Sequence, residues 1–273
     1  MNEFDDYAAI DAVNWSTLKH LRESALAYRH ALSTPRTDTM ALMLGRAAHT
    51  LMFEPEKFYR EFAIWTEGDR RGAAWLDFKA ENEGKTILKP AEIDDVSNMA
   101  DAVRRHPLVQ PYFNGAEFEK PLVWKDPVSG LQCKCRADWL IQASRTLLDF
   151  KSTRSIDGRR FGAEAARFGY HLQLAHYRNG VKHALGWAPE RVLLVAAEKA
   201  APHDVAVFEI DSDTMDIADV EVQDLLLRLA GLRAANEWPG KYSEEQALQL
   251  PAWVYGTDDE DDADGFGLSF GGE

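Results

Sequence analysis

Cys133-Lys134-Cys135-Arg136-Ala137-Asp138, followed after a short interval by Leu147-Leu148-Asp149-Phe150-Lys151, is the stretch on which the fold is decided. From Ala116 the pattern changes to a period of two, so that Cys133 to Ile141 and Thr146 to Lys151 read as strands, and the segment from Gln142 to Arg145 between them reads as a turn. The two runs therefore predict a β-hairpin. An even-length loop centred between Ala143 and Ser144 sets Asp138 directly across from Asp149, with Cβ atoms about 5 Å apart. An odd-length loop breaks this register. Lys151 lies two residues beyond Asp149 and shares its face. Cys135, Ala137, Trp139, Leu148 and Phe150 fall on the opposite face, which suits a core.

Two neighbouring carboxylates repel each other unless a cation sits between them. Mg²⁺ prefers hard oxygen ligands and commonly binds through one or two carboxylates together with water and phosphate oxygens. Such an ion orients a water, lowers its pKa and neutralises charge growing on a phosphate under attack. Lys151 is placed to steady the attacking water or to hold the phosphate. On spacing alone a surface salt bridge explains Asp149-Phe150-Lys151 equally well, because the string is short and common.

Upstream of the hairpin, Phe118 to Trp124 reads as a third strand, with Asp126 to Gly130 as the turn. Before it the pattern is helical. Asn14 to Leu32 carries Leu18, Leu21, Ala25 and Tyr28 at helical spacing, with Asn14 or Ser16 as cap. Ser33 to Thr39 is a loop, and Met40 to Phe53 is a helix, apolar nearly all round and so expected to be buried, ended by Pro55. Trp75 to Glu83 reads as a helix. So does Pro90 to Arg105, with Ile93, Val96, Met99, Ala100 and Val103 inward, stopped by Pro107. Downstream, Phe161 to Leu185 reads as one long helix ended by Gly186, Arg191 to Ala197 and Val205 to Ile210 as strands, and Asp211 as the cap of a last helix reaching Asn236. The order predicts an α/β fold, a mixed central β-sheet flanked by helices. It divides into a helical part over 1–115 and a core over 116–236 within one domain spanning 1–255, followed by an acidic tail over 256–273 expected to be disordered.

The net charge of −14 argues against a generally nucleic-acid-binding surface. Six acids crowd into 258–264, and the rest of the chain still carries −8. Any contact with DNA must use a local basic patch or bound metal. Arg154, Arg159, Arg160 and Arg167, directly after Lys151, form the best such group, and Arg70-Arg71 and Arg104-Arg105 form smaller ones. No apolar run reaches the length of a membrane span. No secretory leader is visible, and two cysteines are too few for a four-thiolate site, so a reducing cytoplasm is the expected compartment. The acidity also motivates a rival reading, a non-catalytic acidic DNA mimic or adaptor.

An Asp closing one strand and [D/E]-x-K on the next resembles the PD-(D/E)XK nuclease superfamily, with its restriction-endonuclease-like core. Three further stretches resemble its RecE-like and RecB-like exonuclease branch. Gly45-Arg46-Ala47-Ala48-His49 is similar to the helix-borne G-x-x-x-H motif. Gln173-Leu174-Ala175-His176-Tyr177 is similar to Q-x-x-x-Y. Asn14-Trp15-Ser16-Thr17-Leu18-Lys19 looks like the opening of RecE-type domains. The resemblance covers about residues 10 to 236. It implies that His49, Asp138, Asp149 and the backbone carbonyl of Phe150 ligate Mg²⁺ or Mn²⁺, that Lys151 is the catalytic lysine, and that Gln173 and Tyr177 line the site and contact DNA. Ala137 departs from the frequent proline, and Asp149 stands where many relatives have glutamate. Glu119, on the neighbouring strand, is a further candidate, whereas His171 and His176 are expected to be structural or superficial. The resemblance further implies digestion of double-stranded DNA from its ends, 5′ to 3′. It also implies a homo-oligomeric ring and cooperation with a single-strand annealing recombinase, with the acidic C-terminal tail as a candidate docking peptide. A structure-specific or single-strand nuclease on the same fold is the alternative.

Overall fold

The computed structural model describes Tyr7, residues 9–34 and 39–251, and Val254. The acidic tail and the Pro35 loop expected above lie outside these residues, the loop in part.

Asn14 caps the first helical segment, its side-chain oxygen accepting from the Thr17 amide. The expected single helix is nevertheless three pieces. These are α1 (Trp15–Leu18), a 3-10 turn (Lys19–Arg22) and α2 (Ala25–Ser33), which restarts because the Ser24 hydroxyl accepts from the Ala27 amide and forms a new cap. α3 (Met40–Phe53) has its expected span but not its expected burial. Ala47, Ala48, Met52 and Phe53 are buried, whereas Met40 and Leu42 are exposed, because only the C-terminal half has a layer to pack on. α4 (Pro55–Glu61) starts at Pro55, in the first turn where a missing N–H is tolerated, so this proline separates two helices. β1 (Phe62–Ile64) and β2 (Thr86–Leu88) pair in parallel around α5 (Gly72–Glu81) and were not expected. α6 (Pro90–Arg105) has its expected bounds, with Val96, Met99, Ala100 and Val103 buried and Ile93 partly so.

The principal sheet has the strand order β3 (Glu117–Lys125), β4 (Gln132–Ile141), β5 (Thr146–Thr153), β6 (Arg191–Glu198), β7 (Val205–Glu209). It is mixed, since only β5 and β6 run parallel. The crossover between those two is helical, as a parallel connection requires. The single helix expected there is two, α7 (Gly158–Phe168) and α8 (Tyr170–Leu185). They meet at Gly169, whose φ of 69° suits glycine and where a Cβ would come within 3.2 Å of the Arg22 guanidinium and the Trp15 ring. α9 (Ser212–Ala235) is capped by Asp211 as expected.

Helices cover both faces of the sheet. One layer holds α1, α2, α8 and α9 against Leu122, Trp124, Cys133, Cys135, Leu140 and Leu147. The other holds α3 and α6 against Trp139, Ile141, Leu148, Phe150 and Leu193. This corrects the single core face read from the sequence, because Cys135 and Ala137 pack in the first layer and Trp139 in the second. The side-chain alternation of β4 changes phase at Asp138. The β3–β4 ladder omits the Glu119–Asp138 pair, and Glu119 adopts φ 52° in mid-strand.

His176 is buried on the inner face of α8. Its Nε2 donates to the Lys134 carbonyl, at 3.1 Å, and its ring lies against Trp124. Burial holds its pKa down at about 4, only partly offset by that hydrogen bond. An unfolded histidine titrates near 6.5, so below that pH the unfolded chain takes up the proton first. The contribution is therefore complete above pH 6.5 and is lost as pH falls towards 4. Between pH 7 and pH 5 it removes about 2 kcal/mol of stability. Urea unfolding of His176→Gln at both pH values should show a correspondingly smaller loss; an unchanged difference would contradict this account.

Candidate active site

The β4–β5 ladder has the expected register, Trp139 opposite Leu148, and the pairing ends there. Asp138 is the next residue. Its carboxylate accepts the Phe150 amide at 3.2 Å, inserting a side chain where the ladder would continue. The gap so opened is where the candidate residues gather.

From the α3 side comes His49, whose Nε2 lies 3.0 Å from Asp138 Oδ2 and 3.1 Å from Glu119 Oε1. Gly45, one turn earlier, lets α3 lie close to the sheet: a Cβ there would sit 2.6 Å from the Ser152 hydroxyl, beside Lys151. The Glu119 carboxylate is held from behind by Arg136 Nε at 2.6 Å, and Arg136 also pairs with Glu54. From the α8 side, Gln173 Nε2 donates both to Asp149 Oδ1 and to the Tyr177 hydroxyl, each at 3.1 Å. Lys151 Nζ pairs with Asp149 Oδ2 and lies 4.9 Å from the centre of the Tyr170 ring.

The electrostatics are those of crowded buried carboxylates. Burial pushes the Asp149 pKa well up, the Asp138 charge adds to this, and Lys151 only partly offsets it. Burial likewise raises Glu119, against the pull of His49. Asp138 is held low: burial opposes its ionisation, but His49, Lys151 and the Phe150 amide outweigh it. For His49 burial favours the neutral ring, yet the surrounding carboxylates, Asp138 first, raise its pKa to about 9. A protonated His49 ring thus offsets part of the negative charge gathered here.

One ligand atom each from His49, Glu119 and Asp138 lies within 4.8 Å of the other two. Asp149 is not a member of that triad and flanks it. The donor set is two carboxylates and an imidazole beside a further buried carboxylate, and among the described residues Glu119 Oε1 meets no polar partner besides His49 Nε2. This set suits a divalent cation that accepts oxygen and imidazole ligands.

Sequence reasoning gave Glu119 a minor place, and the structure brings it to the centre. Arg136, Glu54, Glu164 and Tyr170 were missed. For Tyr170 a signal existed, because residues 170, 173 and 177 share one face of a helix. Arg154, Arg159, Arg160 and Arg167 are all exposed, at the end of β5 and along α7. The other basic pairs serve structure: Arg70 donates to the Ile87 carbonyl, Arg71 pairs with Asp69, Arg104 donates to the Leu51 and Met52 carbonyls, and Arg105 pairs with Asp101. His171 is half-buried and His176 is buried in the core. Among the described residues no helix is long and apolar enough to cross a membrane.

A family model described as a PDDEXK-like domain of unknown function (DUF3799) matches residues 14–249. The chain belongs to this PDDEXK-like family. The PDDEXK-like fold extends to a solved structure, a proposed exonuclease from Eubacterium rectale, with a TM-score of 0.61 and 14% identity over 93% of this chain and 96% of that one. A phage-related exonuclease from Haemophilus somnus aligns over 82% of this chain and 96% of its own, with a TM-score of 0.34 and 10% identity. No curated protein matches the sequence. In the PDDEXK-like chain the interrupted β4–β5 ladder, the Asp-x-Lys of β5 and the histidine of α3 stand in one place.

Proposed function

We propose that this PDDEXK-like protein is a divalent-metal-dependent deoxyribonuclease, an exonuclease that hydrolyses phosphodiester bonds from the ends of double-stranded DNA in the 5′ to 3′ direction. The observation that supports it best is the meeting of His49, Glu119 and Asp138 with the Asp149–Lys151 pair at the gap between β4 and β5.

His49, Glu119, Asp138, Asp149 and the Phe150 carbonyl would hold the ion, Mg²⁺ or Mn²⁺, which when bound supplies charge beside the scissile phosphate and acidifies a water. Lys151 presents its ammonium to that water or to a phosphate oxygen. Gln173 fixes the orientation of Asp149, and Tyr177 fixes Gln173. Arg136 holds Glu119 against the repulsion of its neighbours. The exposed arginines of α7 and Arg154 offer guanidinium forks to the strand leading away from the site.

The test is end-labelled linear duplex with Mg²⁺, with and without a 5′ phosphate, alongside nicked, closed circular and single-stranded DNA. Linear duplex should shorten from its 5′ ends while closed circles persist. Digestion of closed circles would exclude an exonuclease, and intact linear duplex under all metals would end the nuclease reading.

A further inference from the structure

The helix break at Gly169 places Tyr170 at the first position of α8, three residues before Gln173. Its ring lies under the Lys151 ammonium, 4.9 Å from ring centre to Nζ. The ring is itself fixed on several sides. The Tyr170 hydroxyl donates to Glu164 Oε1 at 3.1 Å, and the other Glu164 oxygen accepts from Thr153, at the end of β5, at 2.9 Å. Phe161 and Phe168 flank the ring at 6.2 and 5.9 Å between centres. One turn on, Gln173 holds Asp149. A single helix thus grips both members of the Lys151–Asp149 pair, the amine by a ring face and the carboxylate by an amide.

We infer that Tyr170 is a positioning residue for Lys151: its ring face aims the ammonium towards the reacting phosphate, and the Glu164–Thr153 link holds the ring to the strand that carries the lysine. This rests on the nuclease reading for its consequence, but not for the contact itself. A lysine has four rotatable side-chain bonds and loses much conformational freedom when aimed. A cation over an aromatic face is attracted to it, and a ring held from behind supplies that attraction without rearranging. Glu164 accepts a hydrogen bond from the hydroxyl, which polarises the phenol and enriches the ring in negative charge, and so strengthens the pull on an ammonium.

Two measurements on the full chain decide it. The first needs no cleavage: the Lys151 ε-methylene resonance, assigned by its absence in Lys151→Arg, should lie upfield of the exposed lysines in wild type. In Tyr170→Phe, whose ring Phe161 and Phe168 still flank although the Glu164 link is gone, it should stay most of the way upfield, and in Tyr170→Leu it should return to the exposed-lysine position. The second is single-turnover digestion of end-labelled duplex with Mn²⁺. Tyr170→Leu should cleave about tenfold more slowly with unchanged DNA affinity, whereas Tyr170→Phe should fall within about threefold of wild type. A wild-type Lys151 resonance coincident with the exposed lysines overturns the proposal. So does a Tyr170→Phe protein as slow as Tyr170→Leu. If wild type cleaves nothing, the function proposed above fails and the resonance alone decides the contact. If Tyr170→Leu does not fold, the wild-type and Tyr170→Phe resonances still decide it.

Discussion

Asp149→Asn is expected to abolish metal-dependent cleavage and, in EDTA at pH 8, to raise the melting temperature. The two effects have one origin. Asp149 is wholly buried, beside the charge of Asp138. Its folded pKa is raised by burial above the value of an unfolded aspartate, about 3.9. A carboxylic acid with a raised folded pKa contributes stability that is complete below its unfolded pKa and is lost as pH rises through the folded one. At pH 8 the full cost of ionising it in place is present, offset only in part by Lys151. Asparagine keeps the shape and an acceptor for Gln173 and removes the charge. The melting temperature of the metal-free protein should rise by about 5 °C, since about 2 kcal/mol moves a chain of this size by that much. On the proposed function, Mn²⁺ should stabilise the variant less than wild type, because one proposed ligand is lost. Cleavage should fall by a factor of about 10³ or more, as when a group supporting transition-state charge is deleted. Calorimetry with and without Mn²⁺, beside the digestion assay, reads all three. A variant that melts lower than wild type in EDTA would show that Asp149 is held by its partners rather than strained by its neighbours.

Gly180→Val should unfold the protein at a temperature about 5–10 °C lower and take the active site with it. Gly180 lies in the middle of α8, where glycine is normally a liability relative to alanine. Here a Cβ would come 2.8 Å from the Trp124 ring and 2.9 Å from Cys135 Sγ, both buried in the sheet. Neither can swing away, so α8 must lift from β3 and β4, at a cost of about 2–3 kcal/mol. Lifting α8 displaces Gln173 and Tyr177 from Asp149. Gly231 in α9 provides the control: nothing lies within 4 Å of a Cβ built there, so Gly231→Ala should stabilise by about 0.5–1 kcal/mol. Thermal melts of the two variants should therefore move in opposite directions. A Gly180→Val melt within a degree of wild type would mean that α8 does not depend on this close approach.

Much of this was legible in the residues because local signals and long-range packing agreed. The β4–β5 hairpin pairs in the register set by its turn, and α6 keeps the bounds announced by Pro90 and Pro107. What escaped reading did so for identifiable reasons. β1 and β2 are three residues each and are held by a pairing across more than twenty positions, which leaves no local periodicity. The apolar stripe continues through Gly169, so spacing alone joins α7 to α8, although the turn is dictated by the Trp15 and Arg22 side chains packed against that glycine. The even alternation of β4 concealed the phase change at Asp138, and with it the fact that Trp139 faces the other core. For the candidate site, the motifs single out His49, Asp138, Asp149, Lys151, Gln173 and Tyr177, and the fold brings these side chains together. Glu119 was undervalued because its approach depends on a positive φ in mid-strand, which no residue pattern announces for glutamate.

That phase change has a geometric consequence. A five-stranded sheet is a wall, and groups on its two sides ordinarily never meet. Where β4 parts from β5 the wall has a doorway. His49 leans in from one room and Gln173 and Tyr170 lean in from the other, so the candidate site draws on both helical layers. Its alignment then reports on how those layers stand relative to one another. Core substitutions far from the doorway, in either room, should detune it by letting one jamb slide against the other.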